Sequence, residues 1–587
     1  MTFVDWLILG FYLLGTLLLG LWLAARNKTE DDYFVAGRSL SGWLAGASMA
    51  ATTFSIDTPL YVAGLVGTRG LAANWEWWSF GLAHIAMAVI FAPLWRRSGV
   101  LTDAAFTELR YGGVSAAWLR GVKAFLLALP VNCIGIGYAF LAMRKVMEAL
   151  GIVQGRLIVG GMTDTMFLLV LVAVLMLAYT VIGGLWAVVV NDLIQLALAL
   201  VGAFAVAMAA VHAAGGMTNL LHKLEELNRP ELLSLFPWQW QSGRFEWIEG
   251  AGISVATFSA FLTIQWWSFR RSDGGGEFIQ RMLATRNEQE ATLAAWVFLV
   301  VNYLLRSWLW IVVALASIVL LPTQQDWELS YPTLAVKYLP PVGLGLVVVS
   351  LVAAFMSTVS TAVNWGASYL THDLYQRFVR PMATNFELVQ VGQITSFVLL
   401  GLGVVTALWA ESIGSVFRLV IAIGTGPGVV LVLRWFWWRV NAQAELAAMV
   451  AGFLIGFTTS VIPVFRIEDY GVRLIATTAI TAVIWLVVLV LTPPESKAVL
   501  EHFVTKVQPP GPGWRIIRNQ LGVQPPEPIN RIFARFLLSV GVLYGGLLGS
   551  GAFILHQQLC GWLGISIAGI CFIALWRGWL RRRLATL

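Results

Sequence analysis

The sequence carries little charge, since Asp, Glu, Lys and Arg make up only 12% of its 587 residues. A typical soluble domain has about twice that fraction, so an ordinary soluble protein is excluded. Cysteine is also scarce. Cys133, Cys560 and Cys571 all lie within apolar runs, so we expect no disulfide framework.

Other signals are missing as well. The first apolar run, residues 3–25, has no basic segment before it and is long enough to span a bilayer, so it predicts a retained helix and no cleavable signal peptide. No cluster of His, Asp or Cys marks either end of the apolar runs, so we expect no enzyme. We attribute the net charge of +7 to cytoplasmic loops, and it does not indicate nucleic-acid binding.

Hydrophobic residues make up 58% of the chain, which also contains 28 tryptophans, many near the ends of apolar runs. This pattern is typical of a multi-pass protein of the cytoplasmic (inner) cell membrane, with the lipid bilayer as a partner. Runs of spanning length predict about fifteen helices. Their expected bounds are 3–25, 42–66, 77–97, 118–148, 164–182, 185–211, 249–269, 293–321, 341–371, 388–410, 412–433, 444–465, 471–492, 532–555 and 559–577.

Lys and Arg predict the orientation. With the N-terminus outside, roughly two-thirds of the basic residues fall on the cytoplasmic side, and the opposite orientation would reverse that excess. The inside segments collect Arg26, Lys28, Arg38, Arg96, Arg97, Arg110, Arg270, Arg271, Arg281, Arg286, Arg377, Arg380, Arg434 and Arg439, with further basic residues in the late loop and the tail. We therefore expect the C-terminus in the cytoplasm.

Two polar segments interrupt the apolar runs. Residues 212–248 include an amphipathic stretch, 220–227, that suggests a short helix on the outer surface. Residues 493–531 contain three proline clusters and read as a cytoplasmic Pro-rich linker. This linker divides the chain into a core, 1–492, and a C-terminal transmembrane hairpin with a basic tail, 532–587.

Hydroxyl groups gather at one point of the ninth run. Ala354, Ser357 and Thr358 stand at i, i+3 and i+4, which places two hydroxyls and a nearby carbonyl on one helix face. Uncharged oxygens at membrane depth can replace part of the water shell of a small hard cation. Close packing of helices through small residues is the alternative explanation.

The second run contains a proline and an acid. Pro59 disfavours helix at the residue before it, so the sequence predicts an interrupted membrane helix. The unpaired backbone groups of such an interruption suit an ion or solute site. Asp57 is a functional candidate because a charge in lipid is costly, and a salt bridge to Arg306 or Arg418 is the structural alternative.

Several segments together resemble the sodium:solute symporter family, over about the first 440 residues. They are DYFVAGRSL (32–40), GGLWAVVVNDLIQ (183–195), IQRMLA (279–284), MSTVS (356–360) and THDLY (371–375). The resemblance implies an all-α membrane protein with a LeuT-type inverted repeat of two five-helix units, here 42–211 and 249–433. The first helix of each unit should be broken. Gly274, Gly275 and Gly276 interrupt the simpler family pattern after the seventh run.

The resemblance also implies a sodium site. In the family, the site uses backbone carbonyls of the first core helix together with the carbonyl and hydroxyls of the eighth. By position, these ligands are Ala51, Phe54, Ala354, Ser357 and Thr358. The chain has Thr53 where the family's proline transporter has an acid, a departure that it shares with the galactose transporter.

Further roles follow from the same resemblance. Glu76 and Ser79 match positions that contact the sugar in the sugar transporter, although Glu76 could instead cap a helix at the outer interface. Gln265 and Trp267 fall where the second broken helix should pass the solute, with ordinary packing as the alternative for Trp267. Asp192 matches an acid on the ion's exit route, and pairing with a cytoplasmic arginine is its structural alternative.

We therefore expect a symporter that couples sodium to a small polar organic solute. Glu76, Ser79, Asp57 and Thr58 suit hydroxyl or ammonium groups, so a sugar, polyol, amino acid or related compound remains open. A transporter-like membrane receptor and a proton-coupled symporter of the same fold are the alternatives.

Overall fold

The structure is a computed structural model, and it describes residues 2–26, 29–158, 163–241, 243–268, 272–407 and 413–585. Lys28, Arg270, Arg271 and the expected span boundaries at 269, 410 and 412 lie outside these residues. The first half of the chain contains α1 Phe3–Leu23, α2 Glu30–Val35, α3 Gly42–Thr53, α4 Asp57–Arg69, α5 Trp75–Trp78, α6 Gly81–Ala86, α7 Ala92–Ser98, α8 Phe106–Arg110, α9 Gly113–Leu126, α10 Asn132–Ala149, α11 Asp164–Ala213, α12 Met217–Glu226 and α13 Val255–Thr263.

The second half contains α14 Gly276–Leu283, α15 Glu288–Leu299, α16 Ser307–Leu320, α17 Ser330–Tyr338, α18 Gly343–Ser368, α19 Asn385–Ala407, α20 Ile413–Leu433, α21 Ala442–Val461, α22 Tyr470–Leu491, α23 Lys497–Val507, α24 Arg515–Leu521, α25 Ile529–Ile554 and α26 Gln558–Ala585. The π-helical turns Met87–Phe91, Leu127–Val131, Val300–Leu305 and Tyr369–Val379 continue neighbouring helices. Strands β1 Trp238–Gln241 and β2 Arg244–Trp247 form an antiparallel hairpin.

Eleven helices of the described residues are long and apolar enough to cross a membrane, and the segments 164–178 and 417–433 are shorter apolar helices. Two other expected spans, 42–66 and 249–269, are interrupted. The count of fifteen stays a prediction. The chain begins at one end of the helix bundle, which we call the N-terminal face, and α26 ends at the opposite end, the C-terminal face.

The interruption predicted near Pro59 is confirmed. Helix α3 ends at Thr53, Phe54 leaves the helical region with φ −83° and ψ 56°, and α4 begins at Asp57. Proline stabilises this break, because it has no backbone N–H and restricts the residue before it.

The seventh expected span is also broken, and its helix is shorter than predicted. Helix α13 begins at Val255 because the Ser254 side chain accepts a hydrogen bond from the N–H of Thr257. It ends at Thr263 and is followed by a 3-10 turn, Gln265–Trp267. Helix α14 then starts after Gly275, whose φ of +77° favours glycine.

Helix α11 contains the joint predicted at Gly183 and Gly184. Gly184 has φ 56° and ψ −156°, so the segment consists of two helices that meet at this residue. Helix α18 occupies the centre of the bundle, with 89% of its most apolar window buried. It packs against α1, α3, α10, α11 and α19, and this position brings its hydroxyl groups to the end of α3.

The segment predicted as a linker contains two helices that cover the C-terminal face. In α23, Phe503 is fully buried against Phe106, Trp435 and Trp514. The Trp514 indole donates to the carbonyl of Trp435 at 2.9 Å. These contacts fasten the segment to the ends of α8 and α20.

The C-terminal hairpin packs on the bundle through α25. The Trp308 indole of α16 donates to the carbonyl of Leu547 at 2.8 Å, and the Tyr544 hydroxyl donates to the carbonyl of Trp78 at 2.8 Å. Gly551 permits this approach, since a Cβ there would overlap the Trp308 ring. Helix α26 contacts α25 and exposes most of its apolar surface.

Candidate functional site

The broken end of α3 meets α18 through Thr358. The Thr358 hydroxyl lies 3.0 Å from the carbonyl oxygen of Thr52 and 3.1 Å from that of Ala354. Ala51 and Phe54 flank Thr52 at the same helix end, where a break leaves carbonyls without the usual helical partners. Neutral oxygens from two helices therefore converge within hydrogen-bonding distance, which fits the chemistry of a small hard cation.

Ser357, one residue earlier on α18, turns toward an acid. Its hydroxyl donates to Oδ1 of Asp192 at 2.6 Å, and the Ser48 hydroxyl donates to Oδ2 at 2.5 Å. Asp192 is fully buried and lies 3.6 Å from Arg281. Asp192 thus bridges α3, α11 and α18, and it lies beside an arginine that the sequence assigns to the cytoplasmic side.

Arg281 of α14 extends this network. Its guanidinium donates to the hydroxyls of Ser48 at 3.1 Å and Thr361 at 2.6 Å. Thr361 is in turn 3.1 Å from the Thr52 hydroxyl. A buried charge is stable only with such partners, so the network ties both broken helices to α18.

A second buried arginine, Arg306, holds the end of α3. It donates to the carbonyl of Ala50 and to the hydroxyl of Thr53, each at 2.9 Å. Its Cζ lies 5.3 Å from the Phe54 ring centroid and 5.1 Å from that of Trp310. A cation at a helix C-terminus is favourable because the terminal carbonyls carry partial negative charge.

The sequence interpretation named Arg306 only as a possible partner of Asp57. Asp57 instead occupies the first turn of α4, is 7% exposed, and accepts hydrogen bonds from Ser55 and Tyr138. No salt bridge within 4 Å joins Asp57 to Arg306 or Arg418 in the described part of the chain, although the charge of Arg306 acts on Asp57. The neighbouring Thr58 hydroxyl points back to the carbonyl of Thr53 at 3.4 Å.

Glu76 lies nearer the N-terminal face and is fully buried among cations. It pairs with Arg69 of α4 and with Arg418 of α20, the latter through contacts of 2.7 and 3.2 Å. The Tyr61 hydroxyl donates to it at 2.7 Å. This arrangement links α4, α5 and α20 and closes the space between them.

The second broken helix reaches the same cluster. Gln265 Nε2 donates to the backbone carbonyl of Glu76 and lies 3.4 Å from the Ser79 hydroxyl. Trp267 packs against α20, where a Cβ at Gly428 would overlap its backbone and ring. Its indole donates to the carbonyl of Thr263 at 2.6 Å.

The predicted residues therefore form three neighbouring groups. Ser357, Thr358 and Asp192 lie with the end of α3. Asp57 and Thr58 lie just across the break, and Glu76, Ser79 and Gln265 lie toward the N-terminal face. Sequence reasoning did not name Arg69 or Tyr61 as partners of Glu76, and for Asp192 it named only an unspecified cytoplasmic arginine, although a charge within a membrane run is itself a signal of a site.

A cleft opens on the other side of the second break. It has a cavity volume of about 60 Å³ and lies between the π-helical turn after α9, the start of α14, and α18, α20 and α21. Its walls include Val131, Gly276, Trp365, Gly424 and Pro427. Most of this lining is apolar, and the broken helix forms one wall.

Charged side chains surround the cleft toward the C-terminal face. Arg434 pairs with Asp273 at 2.6 Å and with Glu445 at 3.0 Å. Lys123 lies 3.7 Å from Asp103. These contacts join the end of α20 to α21 and to the loop before α14, and they join α9 to the loop before α8. The sequence interpretation did not include them.

Comparison with known proteins identifies related chains. A model of the sodium:solute symporter family matches residues 33–452. The sodium/glucose cotransporter of Vibrio parahaemolyticus is 26% identical over 482 residues, which cover 77% of this chain and 84% of that protein. The sodium/myo-inositol cotransporter 2 of Oryctolagus cuniculus is 27% identical over 518 residues, covering 79% of this chain and 71% of that protein.

A solved structure shares the fold. The substrate-bound, outward-open state of a Na⁺-coupled sialic acid symporter aligns with a TM-score of 0.65 and 21% identity. The alignment covers 84% of this chain and 99% of that chain. At this identity, the likeness establishes the shared architecture.

Proposed function

Because this chain belongs to the sodium:solute symporter family, it is a sodium-coupled symporter, and we propose that it carries a small polar solute into the cell by alternating access. The observation that carries this proposal is the contact between the broken end of α3 and Thr358 of α18. It brings oxygens of two helices within hydrogen-bonding distance of each other. Sodium at that point would connect α18 to the broken helix that carries Asp57 and Thr58.

The sodium ligands are Ala51, Phe54, Ala354, Ser357 and Thr358. The hydroxyl of Thr358 donates to the carbonyl oxygens of Thr52 and Ala354. A bound cation would replace these hydrogen bonds with contacts to the same kind of oxygens. Asp192 holds Ser357 and draws a departing cation toward the C-terminal face, as a carboxylate near a neutral site does. Arg281 limits how tightly Asp192 can hold that cation.

The solute residues are Asp57, Thr58, Glu76, Ser79, Gln265 and Trp267. They offer carboxylate, hydroxyl and amide groups on both broken helices and at α5, which suits a polyhydroxylated compound. Several relatives are named as cotransporters of glucose, myo-inositol or mannose, and we propose a sugar or polyol as the solute class. Sodium and solute then raise each other's affinity, since both favour the same arrangement of the broken helix.

The geometry also fits transport in steps, with the path closed first at the N-terminal face and then opened toward the C-terminal face. Glu76 joins α5 to α20 through Arg418, which closes the path at the N-terminal face. The cleft beside Gly276 and Pro427 lies toward the C-terminal face and would receive the solute. With the N-terminal face outside, as the basic residues predict, this arrangement leads inward. The membrane potential contributes about 2.3 kcal/mol per charge per 100 mV.

Transport by purified protein in liposomes tests the proposal. We expect uptake of a labelled sugar or polyol to require an inward sodium gradient, and counterflow to require sodium on both sides. Uptake driven equally by a proton gradient without sodium would establish proton coupling instead. Sodium-dependent binding without any counterflow would favour a receptor that retains a transporter-like site.

A further inference from the structure

Tyr470, the first residue of α22, lies between two arginines, each of which has N–H donors that no described residue accepts. Tyr470 is 8% exposed, and its hydroxyl is buried with no partner among the described residues. Arg473 lies beside it, with Cζ 5.6 Å from the Tyr470 ring centroid. The Nε of Arg473 is also buried and unbonded. Within the described residues, the Arg473 guanidinium forms neither an ion pair nor a hydrogen bond.

Arg418 approaches the same ring. Its Cζ lies 5.7 Å from the Tyr470 centroid. Nε and Nη2 donate to Glu76, while Nη1 donates to none of the described residues. The Arg418 side chain is 32% exposed, so one edge of the guanidinium is accessible. Two guanidinium groups therefore flank one buried phenol, and each has donors to spare.

Among the described residues, three arginines lie around Tyr470 and Glu76, and only two of them have a carboxylate partner. Arg69 and Arg418 both pair with the buried Glu76, whereas Arg473 forms no salt bridge with any described residue. The carboxylate of the neighbouring Asp469 is directed to Ser254, Thr257 and the N–H of Val472. Glu468 pairs with Arg466, so neither acid forms a salt bridge with Arg473. A partly buried cation without a counter-ion is costly, so an anion bound at this site would stabilise it.

We propose that Arg418, Arg473 and the Tyr470 hydroxyl form a subsite for a carboxylate carried by the transported solute. The inference rests on the proposed function. Planar guanidinium groups bind a planar carboxylate through paired hydrogen bonds, and Arg418 already binds Glu76 in this way. A phenol hydroxyl completes the set by donating to a carboxylate oxygen.

The position of the subsite connects it with the solute path. Arg418 lies on α20 about one and a half to two and a half turns before Ile423, Gly424 and Pro427, which line the cleft. A solute that enters from the N-terminal face would therefore meet the guanidinium groups before it reaches the cleft. The substrate class becomes a small hydroxylated carboxylate, such as a uronic acid, with a neutral sugar of the same ring as the weaker substrate.

Paired solutes that differ by one carboxylate test the subsite. We would measure sodium-dependent uptake of glucose against glucuronate, and of galactose against galacturonate, in liposomes. Each uronate should show the lower KM. Arg473→Gln should raise the KM for the uronates by at least about ten-fold, the factor expected from losing a hydrogen bond to a charged group. It should change neither the KM for the neutral sugars nor the half-saturating sodium concentration.

Arg466→Gln is the matched control. Arg466 lies in the loop before α22, its side chain is 54% exposed, and it pairs with Glu468. Its replacement removes the same charge near the same face and should leave every KM unchanged. An equal effect of both replacements would overturn the subsite, because a general change in surface charge would then explain the result.

The remaining outcomes separate the subsite from symport itself. Sodium-dependent uptake of the neutral sugars, with uronates no better and Arg473→Gln without effect, overturns the inference and leaves the proposed function standing. A dissolved anion is the other source of the same chemistry. Uptake that requires chloride over methanesulfonate, with the requirement lost in Arg473→Gln, would assign the subsite to that ion and overturn the solute carboxylate.

A binding measurement covers the case in which no solute is transported. Glucuronate should raise the Tm of the purified protein in sodium buffer more than glucose does, since a ligand of the native state stabilises it. The difference should disappear in Arg473→Gln and persist in Arg466→Gln. No difference in the wild type would overturn the subsite.

Discussion

Replacing Thr358 with valine isolates the role of one hydroxyl at the centre of the candidate sodium site. Valine keeps the branched shape, so packing between α3 and α18 should change little. The hydroxyl is one of five proposed sodium ligands, and its loss should cost roughly 1.5–3 kcal/mol, as for a hydrogen bond to a charged group. Half-saturating sodium should therefore rise by about 10- to 100-fold.

The same hydroxyl has a structural contact, so its effect on stability needs a matched control. Thr358 donates to the carbonyl of Thr52 across two helices at 3.0 Å. Thr406 makes an equivalent contact far from the site, since it donates to the carbonyl of Cys133 at 2.7 Å. Both Thr358→Val and Thr406→Val should lower the free energy of unfolding by about 1 kcal/mol. Thr358→Val alone should weaken sodium binding.

Two measurements distinguish the roles. Initial rates of uptake against sodium concentration give the half-saturation, and the Tm with and without sodium gives binding in the absence of solute. A smaller sodium-induced rise in Tm for Thr358→Val, beside a normal rise for Thr406→Val, is the expected result. If both variants lose stability and both keep wild-type sodium half-saturation, Thr358 is a packing residue and the ligand assignment is refuted.

Three further outcomes follow from the described contacts. Glu76→Gln should weaken solute affinity and lower the Tm, because the arginine partners of Glu76 lose their counter-charge. The sodium-induced rise in Tm should be kept. Unchanged uptake kinetics would contradict a solute contact. Truncation after Leu491 should lower the Tm, since it exposes the surfaces that α23 and α25 cover. Sodium-dependent solute binding should persist. A well-folded truncated protein without that binding would place the hairpin in the transport machinery. Although burial raises the pKa of Glu108, Arg377 and Arg120 hold it below the ordinary value of 4.5, so the stabilisation by this carboxylate is complete above pH 4.5 and is lost as the pH falls through the lowered pKa. The Tm difference between wild type and Glu108→Gln should therefore be present at pH 7 and shrink in acid. A difference that is the same at both pH values would exclude the ionised pair.

Local signals were enough to predict several features of the fold. Pro59 predicts the break between α3 and α4, and the paired glycines predict the joint at Gly184. The spacing of Ala354, Ser357 and Thr358 predicts a polar face on α18. Each of these features depends on residues within one or two turns of helix, so the sequence around them contains the necessary information.

The partners of the buried charges depend on distant parts of the chain. Glu76 and Arg418 are 342 residues apart, and no local pattern says which of several intramembrane arginines meets which acid. The sequence interpretation considered Arg418 for Asp57, whereas the structure joins it to Glu76. Such pairings follow from helix packing, which is a property of the whole bundle.

The helix α23 could have been found from sequence. Leu500, Phe503, Val504 and Val507 follow the spacing of one helix face, but the proline clusters on either side favoured the interpretation as a linker. Composition averaged over 493–531 concealed an amphipathic segment of eleven residues. Periodicity within short windows is therefore the better guide in proline-rich segments.

The docking of α25 on α16 also sets an order of events during synthesis. The Trp308 indole and the Leu547 carbonyl that accepts its hydrogen bond are 239 residues apart. At a translation rate of about 5–20 residues per second, the surface of α16 waits on the order of 10–50 s before its partner emerges. During that interval Trp308 and its neighbours meet lipid or an insertion chaperone. Conditions that slow elongation late in the message should therefore increase misassembly and degradation of the nascent protein, even though all of the proposed transport residues have already been made.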